Sequence, residues 1–144
     1  MDGENKILKR AREVLDIEVR GILSLRDRLD ESFLRAADLL FTCTGKVVVT
    51  GLGKSGLIGR KIAATLSSTG SPGLFLHAGE GIHGDIGLIN KGDVVLAISN
   101  SGETEEILQL LNIIKRLGIK LVVMTGKPDS SLGRSGDVVL NVGV

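Results

Sequence analysis

Apolar residues recur in two rhythms along this chain, and the rhythm changes near residue 46. Leu8, Ala11, Leu15, Val19 and Ile22 return at steps of three and four with Arg, Lys and Glu between them, which predicts an amphipathic helix over residues 5 to 28. Phe33, Ala37 and Leu40 keep that spacing, so a second helix is expected over 31 to 43 with Asp30 as its N-cap. The apolar stripes of both helices require a surface to cover them.

From residue 46 the pattern becomes short β-branched runs punctuated by glycine: KVVVTG, LFLH, DVVLAIS, KLVVMTG and DVVLNV. These five candidate strands are almost continuously apolar, as strands covered on both faces of a parallel sheet are. Helical patterns lie between them, over 54 to 68 ending at Gly70 and over 103 to 117 ending at Gly118, each glycine suiting a left-handed C-terminal cap. Shorter helices are expected within 82 to 89 and 129 to 135, while the glycines at 79, 81, 84 and 87 make the start of the 77 to 87 segment read as a loop. Strand, helix and strand repeated with right-handed crossovers imply an α/β three-layer sandwich. The expected sheet is five-stranded, parallel and flavodoxin-like, in the order 2-1-3-4-5, preceded by two helices. One domain over 1–144 is expected, a helical lead-in to 44 followed by the α/β core. Such sheets bind ligands beyond the carboxyl ends of their strands, beside the switch between strands 1 and 3. The loops after Thr50 and Ser99 are therefore the first places to look.

Composition narrows the partners. The 42% apolar and 24% charged residues and a net charge of +1 call for neither nucleic acid nor an anionic membrane. Three Phe with no Tyr or Trp leave few rings on which single-stranded bases could stack. Cys43 is the only cysteine, which excludes an intrachain disulfide and reads as a buried, inert thiol. The amino-terminal segment is too charged for the core of a signal peptide and no apolar run reaches 18 residues, so a cytoplasmic protein is expected.

Gly51, Gly53 and Gly56 satisfy G-x-G-x-x-G between a strand and a helix, but a dinucleotide site also needs an acid at the end of the second strand. That strand ends in His77, and Glu80 comes too late. An ATP-type loop fails because its upstream glycine would fall at Val48. What remains is a turn whose amides could approach an anion at a helix N-terminus, with Lys54 and Ser55 beside it. Glycines in a tight turn would look the same without a ligand. The second signal is SNSGETEE, residues 99 to 106, where Ser99, Ser101 and Thr104 supply three hydroxyls around one more glycine. Capping explains one of them. Acids at 103, 105 and 106 suit the first turn of the helix on structural grounds alone. The third is HAGEGIHGDIG, residues 77 to 87, with both histidines, His77 and His83, beside Glu80 and Asp85. Their spacing suits no helix-borne metal pair, so no metal is expected.

With G-L-G-K-S-G-x-I-G-x-K-x-A-A-T-x-x-S-T-G-x-P, H-x-x-E-x-x-H-G-D-x-G, A-I-S-N-S-G-E-T-x-E-I and T-G-x-x-x-S-S-L in order, the chain resembles the sugar isomerase (SIS) domain of D-arabinose 5-phosphate isomerases over residues 45 to 142. The resemblance implies interconversion of D-ribulose 5-phosphate and D-arabinose 5-phosphate through an enediol, on the way to a lipopolysaccharide sugar, without a cofactor. It implies catalytic roles for Lys54 and Glu106, and phosphate contacts from Ser99, Ser101 and Thr104 with Ser55 nearby. Gly70, Ser71, His77 and His83 match positions that line the sugar pocket, and His77 could also pick up adventitious zinc. Family members continue into a segment with a further glutamate, a histidine and often paired regulatory domains, whereas this sequence stops at Val144. A sugar phosphate is the expected partner, and a homodimer or homotetramer the expected assembly. The alternative is a sugar-phosphate sensor without catalysis, since SIS domains also serve regulators.

Overall fold

The computed structural model describes residues 5–143, in two compact units, 5–29 and 30–143. The first unit is one helix, α1 (Lys6–Arg26), opened by the Asn5 side chain accepting the amide of Ile7 at 2.9 Å. None of its residues is buried, and the stripe residues Leu15 and Ile22 are 64% and 67% exposed. The stripe is exposed along the described helix.

The second unit begins with α2 (Glu31–Phe41), whose N-cap Asp30 accepts the amide of Ser32 at 2.8 Å, as the sequence predicts. Then follow β1 (Val47–Gly51), α3 (Gly53–Ser68), β2 (Gly73–His77), α4 (Ala78–Ile82), a 3-10 turn at Asp85–Leu88, β3 (Val94–Ile98), α5 (Glu105–Arg116), β4 (Lys120–Thr125), α6 (Ser131–Ser135) and β5 (Val138–Asn141). The sheet order is β2-β1-β3-β4-β5 and every pairing is parallel. The five expected strands and their order are all present.

Alternation along each strand explains the continuous apolar runs. Val48, Leu76, Val95, Ala97, Leu121 and Val123 face one layer with Ile107, Leu110 and Ile114 of α5, while Val47, Val49, Val94, Leu96 and Val122 face the other with Ala36 of α2 and Ala63 of α3. Both faces are dry, so successive residues must both be apolar. Each large aliphatic chain buried this way contributes about 1.5–3 kcal/mol relative to exposure. The lead-in is thus not uniform: α2 belongs with the sheet, through Ala36 and the half-buried Leu39 and Leu40.

One expectation needs correction. The glycine-rich start of the 77–87 segment reads as a loop, yet α4 forms there at once. Packing accounts for it: a Cβ on Gly81 would come within 3.0 Å of the Leu110 side chain, so the absent side chain lets α4 lie close on α5, and tertiary contact overrides the low helix propensity of glycine. The segment then breaks at Gly84, whose φ of 134° lies outside the range comfortable for other residues. Cys43 is half-buried, not buried, its thiol 3.5 Å from the carbonyl oxygen of Gly92. No helix among the described residues is long and apolar enough to cross a membrane.

Candidate functional site

The parallel register sets the site. Gly51, the last residue of β1, stands opposite His77 of β2 on one side and Ile98 of β3 on the other, and neighbouring strands lie roughly 4.8 Å apart. The turns after β1 and β3 and the start of α4 therefore open at one place, the switch point of the sheet.

Gly53 begins α3 with a φ of 57°, a conformation that favours glycine. A Cβ on Gly51 would sit 3.0 Å from the backbone of Ser55, and one on Gly56 would sit 3.1 Å from the Gly51 carbonyl oxygen. The turn is tight enough to need both glycines. The N-cap of α3, Leu52, offers no side-chain bond, and the first helical bond runs from the amide of Gly56 to the carbonyl of Leu52. The amides of Gly53, Lys54 and Ser55 precede that bond and face the N-terminal end. Lys54 is exposed, Ser55 half-buried, and Lys54 has no hydrogen-bonded or ionic partner among the described residues.

Beyond β3 the three predicted hydroxyls converge. Ser99 Oγ lies 2.8 Å from Thr104 Oγ1 and 3.5 Å from Ser101 Oγ, and it accepts the amide of Gly102 at 3.1 Å. Ser99 is 3% exposed, so it holds the other two from beneath. Ser101 Oγ accepts the amide of Glu103 at 3.2 Å. Thr104 is the N-cap of α5 but makes no side-chain cap bond, which leaves the amides of Glu105, Glu106 and Ile107 ahead of the first helical bond, from Leu108 to Thr104. Glu106 is half-buried in this first turn.

His77 joins this group at the end of β2. Its ring lies beside Gly79, where a Cβ would come within 3.4 Å, and its Nδ1 is buried with no partner among the described residues. Thr50, one residue before Gly51, also carries a buried hydroxyl without a partner; nothing local in the sequence singles it out. His83 is the exposed C-cap of α4, on the rim.

The structure leaves Gly70 and Ser71 out of the group. They precede β2, whose first residue Gly73 pairs with Val47, the first residue of β1. There they line a cavity of about 120 Å³ with Leu40, Phe41, Cys43, Gly45, Val47 and Pro72. In a parallel strand the chain enters at the amino end, so residues just before β2 lie a strand's length from Lys54, about 13 Å at 3.3 Å per residue.

Glu103 also departs from expectation. The helix starts two residues later, and the Glu103 carboxylate accepts the amide of Ser131, at the start of α6, at 2.7 Å. That amide bond, with the Ser131 side chain and the charges of Arg134 and Lys127, holds the carboxyl below the usual range. The β4–α6 connection touches the same turn elsewhere: Gly126 N to Asn100 O at 3.1 Å and Leu132 N to Gly102 O at 3.0 Å. Gly102, with a φ of 66°, lies so close to Ser130 that a Cβ would overlap its Oγ. An open cavity of about 550 Å³ adjoins, lined by Ser101, Glu103, Gly126, Lys127, Pro128, Asp129 and Ser130. Two uncapped helix N-termini, a hydroxyl cluster, a free lysine and a carboxylate at one crevice can hold an anion and move a proton beside it.

The chain is similar to several known proteins. The chain is 51% identical over 133 residues to the arabinose 5-phosphate isomerase KdsD of Salmonella typhi, across 92% of this chain and 40% of that protein. The KdsD of Pseudomonas aeruginosa is also 51% identical, over 134 residues, 93% of this chain and 41% of its own. The chain thus spans about 40% of the length of these curated relatives. Among solved structures it is similar to the c3406 protein of E. coli CFT073, solved in complex with arabinose 5-phosphate, with a TM-score of 0.92 and 39% identity over 99% of this chain and 76% of that one. The family model described as the SIS domain matches residues 40–143, nearly the whole of the second unit, and on that match the chain belongs to the SIS domain family.

Proposed function

We propose that this chain binds a pentose 5-phosphate at the switch point and carries Lys54 and Glu106 for the isomerisation of D-arabinose 5-phosphate and D-ribulose 5-phosphate. The observation that carries the reading is the convergence of Ser99, Ser101 and Thr104 at the end of β3, beside the strand that ends in the Lys54 turn. The identity to the KdsD relatives supports the choice of sugar.

In this reading the phosphate sits against Ser101, Thr104 and the free amides of α5, with Ser55 and the α3 amides completing the cradle and Ser99 supporting it. The sugar's first two carbons extend toward Lys54 and Glu106. Glu106 takes the proton from C2 of the aldose while O1 gains a proton, forming the enediol. Return of a proton to C1 and loss of the O2 proton produce the ketose. Two electrons shift within the sugar and none leaves it, so no redox cofactor enters the balance. Lys54 offsets the charge that develops on the enediolate oxygens, where a preorganised ammonium acts more strongly than water does. His77 and His83 border the sugar. The same reading carries a cytoplasmic homodimer or homotetramer, which light scattering would reject by finding a monomer.

The test is incubation with D-arabinose 5-phosphate in deuterium oxide, followed by proton NMR. Loss of the C2 proton signal with appearance of ribulose 5-phosphate is expected. Binding without either change would reject catalysis by this chain and leave a sugar-phosphate sensor; no binding would reject the whole reading.

A further inference from the structure

We infer that the β4–α6 connection, residues 126 to 132, is the positioning apparatus of the anion-holding turn at 99 to 104, and that Glu103 is its positioning residue. The inference rests on the proposed phosphate site and adds to it a residue that touches no substrate.

An acid inside an anion-binding turn is a contradiction in charge. SNSGE places a carboxylate two residues from Ser101 and one from Thr104, and pointed at the cradle it would repel a phosphate. The structure resolves this by turning the Glu103 side chain onto the Ser131 amide, at 2.7 Å, with Arg134 and Lys127 near enough to favour its charge. The negative charge is answered by the neighbouring connection, and the same bond pulls on the turn.

That bond is one of several that fix the turn from the same side. Asn100 O accepts the Gly126 amide at 3.1 Å and Gly102 O accepts the Leu132 amide at 3.0 Å. Ser130, 6% exposed, caps α6 by accepting the Gly133 amide at 3.1 Å while it lies against Gly102. Residues 100, 102 and 103 are thus each tied to 126–132, while 99, 101 and 104 carry the hydroxyls. The alternation follows from a turn with two sides: one grips the scaffold and the other presents donors. Loop donors hold an anion well only when their own positions are locked, to within about half an ångström. Residue 103 is the only charged member of the grip.

Amide hydrogen exchange and calorimetric titration with D-arabinose 5-phosphate, on wild type, Glu103→Ala, Glu103→Asp and Glu103→Gln, test this. Faster exchange at residues 101 to 105 is expected in the alanine variant, with affinity about tenfold weaker, within the range of one lost hydrogen bond. Glutamine keeps the acceptor oxygen and should recover most of both, whereas aspartate, too short to reach Ser131, should behave as alanine does and serves if alanine fails to fold. Unchanged exchange in the alanine and aspartate variants overturns the inference. So does weakened thermal stability with unaltered affinity, the mark of a purely structural role. Failure of the wild type to bind the sugar phosphate is a separate outcome: it removes the proposed function, and the positioning claim with it, even where exchange reports a loosened turn.

Discussion

The two ends of the sheet hold similar polar residues to different purposes. At the amino end the charges are paired. Asp93, with a side chain 3% exposed, bonds Lys46 Nζ at 2.7 Å and accepts the amides of Lys46 and Asn90 at 2.9 and 2.8 Å. Asp137 joins Lys120 at 3.0 Å and accepts the Leu121 amide at 2.8 Å. Gly45 packs so closely on Asp93 that a Cβ would overlap its carboxylate. At the carboxyl end Lys54 has no partner among the described residues, the first amides of α3 and α5 are uncapped, and the buried Thr50 hydroxyl and His77 Nδ1 are unmatched. A buried polar group without a partner costs free energy. Thr50 and His77 leave two such groups at the carboxyl end, where the proposed sugar phosphate would bind.

That contrast can be broken at either end. The largest effect belongs to Lys54→Ala, which should lower the rate of C2 proton exchange by about 10²–10³, the size lost when one group aimed at developing charge is removed, while the thermal midpoint stays near that of the wild type. A substitution at the amino end should do the reverse. Asp93→Ala strips two backbone amides and an ammonium of their acceptor, so equilibrium denaturation should show a loss of about 2–4 kcal/mol with the affinity for D-arabinose 5-phosphate unaltered. Ser99→Ala lies between the two: one buried bond to the Gly102 amide is lost, about 1 kcal/mol of stability, and because Thr104 and Ser101 lose their support, sugar-phosphate affinity should fall with it. An unaffected affinity would show that the hydroxyl cluster is only a turn.

The smallest effect sharpens the comparison through pH. Burial alone would raise the carboxyl of Asp93, but bonds from Lys46 and Asn90 outweigh it and hold the group below its ordinary 3.8; Asp137 is likewise lowered, against burial, by Leu121 and Lys120. The unfolded chain then binds more protons than the folded one between the lowered values and 3.8. Their stabilisation is complete above that range and is lost as pH falls through the folded values. Denaturation midpoints should be insensitive to these groups near neutrality and fall below about pH 4, and Asp93→Asn should flatten part of that fall.

Much of the fold is legible from pattern because its signals are local. Five continuous apolar runs predict strands covered on both faces, and Val47 to Val49 show why, each neighbour entering a different layer. Asp30 is legible as a cap because its partner is two residues away. The site is legible only as far as its chemistry is contiguous. Ser99, Ser101 and Thr104 announce themselves within six residues, and the structure brings them together. Gly70 and Ser71 do not follow, since resemblance transfers a place in the sequence and strand direction decides the place in space. Glu103 reads as a first-turn acid, and its partner lies 28 residues ahead.

By itself, then, the sequence determined the strands, the longer helices, the all-parallel order and the clustering of hydroxyls in one turn, because helix period, strand burial and turn chemistry are near-neighbour physics. Tertiary structure alone decided that Gly51 meets both His77 and Ile98, that Gly81 lets α4 settle on α5, and that Glu103 bonds the amide of Ser131. Those outcomes depend on register and close approach between segments far apart in the chain, for which no local preference exists.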